Sequence, residues 1–277
     1  MNYLLYNKLA GQVTLDKAKE IVTKFNDKFP NMELVDEENC SLEELNNKLD
    51  DEDNVLLIGG DGTVNFFANA WHNTKIKGHW YIYSAGTGND FLTDVEAKDG
   101  FSSLNEYMDN LPTVEANGVK KYFINNVGYG VDGDVCVIAE EKKKKNKKIN
   151  YANISIGLIL FGFKKRYCKV KVDGVEHEFK RCFIAATMNG RYYGGGMKSA
   201  PNQNRKGDKL TLVIMTGRSR LLTLIRFTKI FKGEHTKYKK TVFLYEGKEI
   251  EVSFDKPCGL QYDGEVILNV SKYKVSK

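Results

Sequence analysis

The chain has 277 residues, 42% of them hydrophobic and 28% charged, with a formal net charge of +6. This is the make-up of an ordinary globular protein with room for one large or two modest cores, and no strongly basic arm dominates it. The mild positive balance favours anionic partners such as nucleotide, phosphate or acidic lipid without selecting among them.

The five cysteines, Cys40, Cys136, Cys168, Cys182 and Cys258, are odd in number and have no short paired spacing. Neither a disulfide framework nor a zinc site is expected, and a reducing cytoplasm is the simplest home. The opening residues carry no signal-peptide pattern. The longest apolar stretch, residues 154–163, is interrupted by Ser155, Gly157 and Gly162 and falls far short of the ~20 residues needed to span a bilayer. Any lipid would therefore be met at the membrane surface.

Residues 3–7 form a short apolar strand candidate, and residues 15–29 place Leu15, Ala18, Ile21, Val22, Phe25 and Phe29 on one helical face. Ser41 and Glu44 have capping-box spacing ahead of another short helix. A buried strand is expected at 55–58, then a glycine-rich loop at 59–63 and a helix at 64–71. Another strand at 80–83 leads into a second glycine-rich loop, 84–90. Strand, turn and helix repeated in this way predict a parallel, three-layer α/β domain over residues 1–118.

Beyond it the texture changes. Strands are expected at 122–127, 169–173, 182–188, 210–215, 241–245, 249–254 and 266–270, with Gly247-Lys248 as a hairpin turn between two of them. Helical insertions are expected near 149–163 and 221–231, so residues 119–277 read as an antiparallel, β-sandwich-like domain whose last strand can rejoin the first domain. The charge run EEKKKKNKK, 140–148, reads as a solvated helix end or loop. Its sharper reading is contact with anionic headgroups, supported by Phe161, Phe163, Lys164, Lys165 and Arg166. Without an aromatic platform or a reading motif, nucleic-acid binding is not expected.

Chemistry concentrates in three places. In LLIGGDGTVNFF, 56–67, a buried strand ends in Gly59, Gly60 and Gly62 around Asp61, and a helix follows. Glycines let backbone approach phosphate oxygens, and the helix offers N–H groups and a positive dipole end. A carboxylate there would repel phosphate unless a divalent cation stood between them, so Asp61 reads as a Mg²⁺ handler. No Gly-Lys-Ser/Thr follows, so this is not a P-loop. In SAGTGNDF, 84–91, Gly86 and Gly88 free the backbone, Thr87 and Asn89 can bond phosphate or ribose, and Asp90 is expected to cap the next helix. In LQYDGEVI, 260–267, Asp263-Gly264 is a hairpin turn, and Asp263 with Glu265 is equally a carboxylate pair for metal placement and hydroxyl activation. The four histidines, His72, His79, His177 and His235, have no metal-ligand spacing, and each is expected to be structural or on the surface. Tyr192-Tyr193 could line a lipid opening or pack in the core, whereas Phe227 and Phe231 fit the apolar face of a helix.

GGDGT, GTGND and DGE, in this order and at these separations, resemble the diacylglycerol kinase catalytic family, which includes bacterial lipid kinases and sphingosine kinases. NKLAG at 7–11, NNVGYGVDGD at 125–134, GGGMKSAP at 194–201 and the Gly233-Glu234-His235 segment are also similar to the family's, so the resemblance covers nearly the whole chain. It implies an ATP site between two domains, with Asn7, Gly59, Gly60, Asp61, Gly62, Thr63, Asn65, Gly86, Thr87 and Asn89 as nucleotide-binding residues. It implies that Asp61, Asp263 and Glu265 gather near Mg²⁺, with Glu265 as general base and Asp263 as metal or water organiser, or the reverse. A structural Mg²⁺ is implied near the Arg205 backbone, Asp208 and the Leu210 backbone, although Gly207-Asp208 stands where Asp-Gly is usual. Phe66 stands where Glu is common, and Leu92-Thr93-Asp94 where relatives often carry a basic residue. Near Val35 and Asp36 there is no clear equivalent of the family's nucleotide-contacting threonine.

The implied activity is transfer of the γ-phosphoryl of Mg-ATP to a membrane-lipid hydroxyl, diacylglycerol to phosphatidic acid first among them. The implied setting is a cytoplasmic enzyme that visits anionic membrane surfaces, with room for a homodimer. The alternatives are an NAD kinase-like phosphotransferase, which shares GGDGT, and a non-catalytic nucleotide-binding, membrane-docking protein.

Overall fold

The computed structural model describes residues 1–6, 13–84, 89–145 and 150–277, in two compact units, Met1–Leu111 and Pro112–Lys277. In the first unit the elements run β1 (Asn2–Tyr6), α1 (Leu15–Lys24), β2 (Glu33–Asp36), α2 (Leu42–Lys48), β3 (Asn54–Gly59), α3 (Asp61–Asn73), β4 (His79–Ser84), α4 (Asp90–Asp94), β5 (Phe101–Ser103) and α5 (Asn105–Met108). The sheet order is β2-β1-β3-β4-β5, parallel except for β5, which runs antiparallel to β4. Val55–Ile58 is a continuous apolar run because both faces of β3 are covered. On one face Phe25 and Phe29 from the α1 side pack on Tyr83 and Tyr81 at 5.1 Å between ring centroids. On the other, Phe67 of α3 packs on Trp80 at 4.8 Å. These are the three layers expected of an α/β domain.

Two helix boundaries differ from expectation. α1 ends at Lys24, and residues 25–29 continue as turns that keep Phe25 and Phe29 on the core side. Asn26 and Asp27, poor helix formers ahead of Pro30, account for the early stop. α3 starts at Asp61 rather than at residue 64, with Gly60 as its N-cap and the acidic Asp61 in its first turn, where the helix dipole favours it. The Ser41–Glu44 capping box is formed in both directions.

The second unit is a nine-stranded antiparallel sheet. Its strands are β6 (Thr113–Ala116), β7 (Val119–Tyr122), β8 (Asn126–Gly130), β9 (Arg166–Val172), β10 (Val175–Met188), β11 (Leu210–Thr216), β12 (Val242–Gly247), β13 (Glu249–Tyr262) and β14 (Glu265–Ser276). The order is β12-β11-β10-β8-β13-β14-β6-β7, with β9 paired to β10 and β13. Three two-residue turns join neighbours: Asn117-Gly118, Asp173-Gly174 and Asp263-Gly264, each with positive φ at both central residues, the pattern of type I′ hairpins. Gly247-Lys248 is not a hairpin turn. β12 pairs β11 while β13 pairs β14, and Asp173 accepts the N–H groups of Lys248 and Glu249 to steer the chain between them.

α6 (Val131–Lys144) lies on β13 so closely that a Cβ on Gly133 would sit 1.8 Å from the Gly259 carbonyl. The first part of the charge run is the last turn of α6, where Lys142, Lys143 and Lys144 complement the dipole. α7 (Tyr151–Gly157) runs into a π-helical turn, Leu158–Gly162, and α8 (Arg220–Thr228) packs beside it. The core centres on Tyr129, stacked on Phe254 at 4.2 Å and edge-on to Tyr273.

Candidate active site

Two glycines of the first loop have different jobs. Gly59 ends β3 against Thr63, whose Oγ1 would lie 2.0 Å from an added Cβ, so the strand-to-helix turn itself demands glycine. Gly62 faces open space, with no atom within 4 Å of a built Cβ. Beside it opens a cleft of about 240 Å³ lined by Leu5, Ile58, Thr63 and Phe66, among others. Phe66 is more than half exposed and forms an apolar wall there. Asn65 is buried one turn into α3, where its carbonyl accepts the Asn69 side-chain amide.

Asp61 holds the exit of the second glycine-rich loop. Its Oδ2 accepts the Asp90 N–H at 2.9 Å and its Oδ1 the Phe91 N–H at 2.8 Å, the first turn of α4. Asn89 is the N-cap of α4 and gives no side-chain cap bond. Asp90, expected to cap this helix, is instead its buried first residue, and the capping carboxylate comes from the other loop. Asn7, Gly86 and Thr87 lie outside the described residues.

In the second unit the DGE motif splits by role. Asp263, in the left-handed region at φ 48°, accepts three consecutive backbone N–H groups: Ile124 at 2.5 Å, Asn125 at 2.8 Å and Asn126 at 3.0 Å. This explains why the strand expected at 122–127 is broken. β7 stops at Tyr122, β8 starts at Asn126, and between them the Phe123 N–H goes to the Pro112 carbonyl while those of Ile124 and Asn125 go to a carboxylate rather than to a ladder. Glu265, the first residue of β14 and paired across the turn with Tyr262, is exposed.

Arg205 and Asp208 lie ahead of β11, which Leu210 opens. The Arg205 guanidinium donates to the Ile124 carbonyl (2.5 Å) and to Asn125 Oδ1 (2.8 Å), while its own carbonyl accepts the Lys277 ammonium at 2.8 Å. Asp208 is largely exposed and pairs with Lys248 at 2.6 Å, which holds its carboxyl below the usual range. Leu210 is buried at the start of β11, in register with Gly247. Among the described residues no group of three or more His, Cys, Asp or Glu is arranged to hold a metal.

Sequence reasoning did not single out Asp132. It is buried at the start of α6, and burial pushes its carboxyl up to about 7 while the Tyr193 hydroxyl donates to it at 2.8 Å. Tyr193 is thus a core residue with a polar tip facing this acid, within a segment that already stood out as NNVGYGVDGD. His235 is buried, near Ser199, whose carbonyl is 2.9 Å from Nε2, and burial lowers it to about 4. It is structural, tying the Gly233-Glu234-His235 segment to GGGMKSAP.

A second surface of this unit is apolar and outward. Phe161, at 83% exposure, Leu221, at 62%, and the exposed Leu222, Ile225 and Phe231 lie on the π-turn, on α8 and on the turn after it. Arg220 ties α8 to the π-turn through the Ile159 and Phe163 carbonyls, both at 2.8 Å. Phe163 itself is buried, so it is core and not a headgroup contact, and Phe231 lies beyond the end of α8 rather than on its inner face. Leu221, Leu222 and Ile225 were legible at i, i+1 and i+4 in RLLTLIRFT, with Thr223 and Phe227 as the buried side.

Comparison with known proteins agrees with this architecture. Residues 2–116 match the diacylglycerol kinase catalytic domain, and residues 125–274, more than half of the chain, match the YegS C-terminal NAD kinase beta sandwich-like domain. A diacylglycerol kinase of Mycobacterium tuberculosis is 27% identical over 192 residues, which cover 66% of this chain and 61% of that protein. A crystal structure of a diacylglycerol kinase from Bacillus anthracis str. Sterne has the same fold, at a TM-score of 0.67 and 22% identity over 100% of this chain and 94% of that one. Among the described residues no helix is long and apolar enough to cross a membrane. With both domains matched in this order, the chain belongs to the diacylglycerol kinase family.

Proposed function

We propose that this chain is a lipid kinase that moves the γ-phosphoryl group of ATP to the hydroxyl of a membrane lipid, with diacylglycerol as acceptor and phosphatidic acid as product. The names of its relatives support the reaction class. The observation that carries the choice of a lipid over a water-soluble alcohol such as NAD is the outward apolar face of the π-turn and α8. Residues 151–166 and 218–232 hold Lys164, Lys165, Arg166, Arg218, Arg220, Arg226, Lys229 and Lys232 and no acidic residue. Apolar tips in a cationic surround complement an anionic phospholipid surface, at ~1 kcal/mol per basic residue close to it. A second copy of the same face would oppose like charges, so the occupant is the membrane and the contact is peripheral.

In this reading the first loop binds nucleotide. Gly59, Gly60, Gly62, Thr63 and Asn65 bring backbone and side-chain donors to the phosphates at the start of α3, beside the cleft that Gly62, Thr63 and Phe66 line. Asn7, Gly86, Thr87 and Asn89 complete the nucleotide-binding set. Mg²⁺ suits the donor type present, because the Asp61 carboxylate supplies hard oxygen atoms at the start of α3. When bound, the ion supplies charge neutralisation between Asp61 and the phosphate oxygens. Glu265 takes the acceptor's hydroxyl proton as the new O–P bond forms and the bond to the bridging oxygen breaks, with ADP leaving on that electron pair. Asp263 positions the segment beside it and moves no proton.

The test is labelled ATP offered with vesicles containing diacylglycerol in one tube and with NAD in another. Labelled phosphatidic acid is expected from the vesicles. Labelled product from NAD alone overturns the assignment.

A further inference from the structure

The loop between β10 and β11 carries backbone carbonyls and an acidic residue, donor types that can hold a hard divalent ion. In this chain a different positive charge is already there. The Lys277 Nζ donates to the Arg205 carbonyl at 2.8 Å and to Asn189 Oδ1 at 2.7 Å. Its backbone N–H is fixed on the Lys248 carbonyl at 3.0 Å, so the side chain leaves from a defined point. Asn189 is fully buried and its Nδ2 donates to the Ile124 carbonyl, the same oxygen that takes the Arg205 guanidinium. Asp208, the one carboxylate of the expected set, is paired with Lys248.

An ammonium with two oxygens at hydrogen-bond distance satisfies that carbonyl and amide as a cation would, and it needs no carboxylate ligand. A divalent ion in the same place would face the Lys277 charge and the Arg205 guanidinium, with Asp208 engaged elsewhere. Two resident cations are the wrong environment for Mg²⁺ or Ca²⁺.

We propose that the Lys277 ammonium replaces the structural divalent cation of the 203–210 loop, so that the second unit keeps its fold without metal. The chain of contacts continues from Lys277 through Arg205 and Asn189 to Ile124, and from the 124–126 amides to Asp263. The substitute cation therefore also secures the turn that presents Glu265. The claim concerns folding and metal content, and it stands or falls apart from the kinase reaction.

The experiment uses the full chain without nucleotide. Elemental analysis of the purified protein is expected to find no stoichiometric divalent metal, and the melting temperature is expected to be the same in EDTA and in excess Mg²⁺ or Ca²⁺. Lys277→Met should melt several degrees lower and show faster amide exchange at Ile124–Asn126, and Lys277→Arg should recover part of both. If the wild type melts earlier in EDTA and recovers with a divalent ion, or carries one ion per chain, the proposal is overturned. It is equally overturned if Lys277→Met melts and exchanges like the wild type.

Discussion

The Asp61 carboxylate accepts the backbone N–H of Asp90, so the acid of the first glycine-rich loop caps the helix that follows the second. Two loops that are separate in sequence are thus held together by one side chain. Asp61→Ala removes both acceptors of the α4 start and, in the proposed reaction, the carboxylate that handles Mg²⁺. Turnover is expected to fall on the order of 10²-fold or more, and stability by ~2–4 kcal/mol from two charge-assisted hydrogen bonds. Asp61→Asn, which keeps one acceptor oxygen, should recover much of the stability and little of the turnover. Denaturant melts beside a lipid kinase assay check this, and near-normal turnover in Asp61→Ala would sink it.

The two acids of the DGE turn should behave oppositely. Asp263→Ala strands three N–H donors at Ile124, Asn125 and Asn126 and is expected to lower the melting temperature sharply, at ~1–3 kcal/mol for each buried group left unsatisfied. Glu265→Gln removes an exposed charge, should leave the melting temperature in place, and should cost turnover on the order of 10²–10⁴-fold as loss of a general base. Equal stability losses in the two variants would contradict this division.

Asp132 makes a prediction about pH. Its carboxyl is raised to about 7 by burial, so the folded state keeps a proton that the unfolded chain loses near pH 4. Stability from this group is full below that point, falls as pH rises through the window, and levels off above about 7. Asp132→Asn has no such proton and still presents an oxygen to Tyr193. The melting temperature of the variant minus that of the wild type should therefore climb between pH 4 and 7, by the equivalent of about 4 kcal/mol for three pKa units, and then stay flat. Burial pushes the neighbouring Cys136 thiol up to about 12 and raises the Tyr273 hydroxyl too, so both keep their protons through this range. Thermal melts across pH settle it, and a pH-independent difference would mean that Asp132 stays ionised.

The apolar face gives a direct binding prediction. Phe161→Glu and Leu221→Glu change exposed side chains, so melting should not move, whereas sedimentation with vesicles rich in anionic lipid should fall severalfold. Wild-type binding should weaken with salt and be poor on neutral vesicles. Unaltered sedimentation of both variants would rule this face out.

Much of this fold was legible in the sequence because its signals are local. The apolar run at 55–58 followed by glycines marks a parallel strand covered on both faces, and Ser41 with Glu44 marks a helix start. Asp-Gly at 263–264 marks a tight hairpin. The misreadings come from partners distant in sequence. Residues 122–127 look like one strand, yet Asp263, 137–139 positions away, supplies the bonds that a neighbouring strand would have made. Gly247-Lys248 carries a turn signal, and Asp173 uses it to pass the chain from one partner strand to another. In the site, Asp61 was recognisable as an acid set among glycines after a buried strand, while its service to Asp90 depends on the approach of two segments distant in sequence. The burial of Asp132 likewise depends on Tyr193 and on the packing of a strand and a helix, which no local pattern records.

Gly62 lies in the first turn of α3 with vacant space where a side chain would be. An alanine there would meet nothing and would strengthen the helix by up to about 1 kcal/mol. The chain thus forgoes easy rigidity at a spot where its own packing asks for none, and the unfilled volume is room for a visiting molecule to come within touching distance of the main chain.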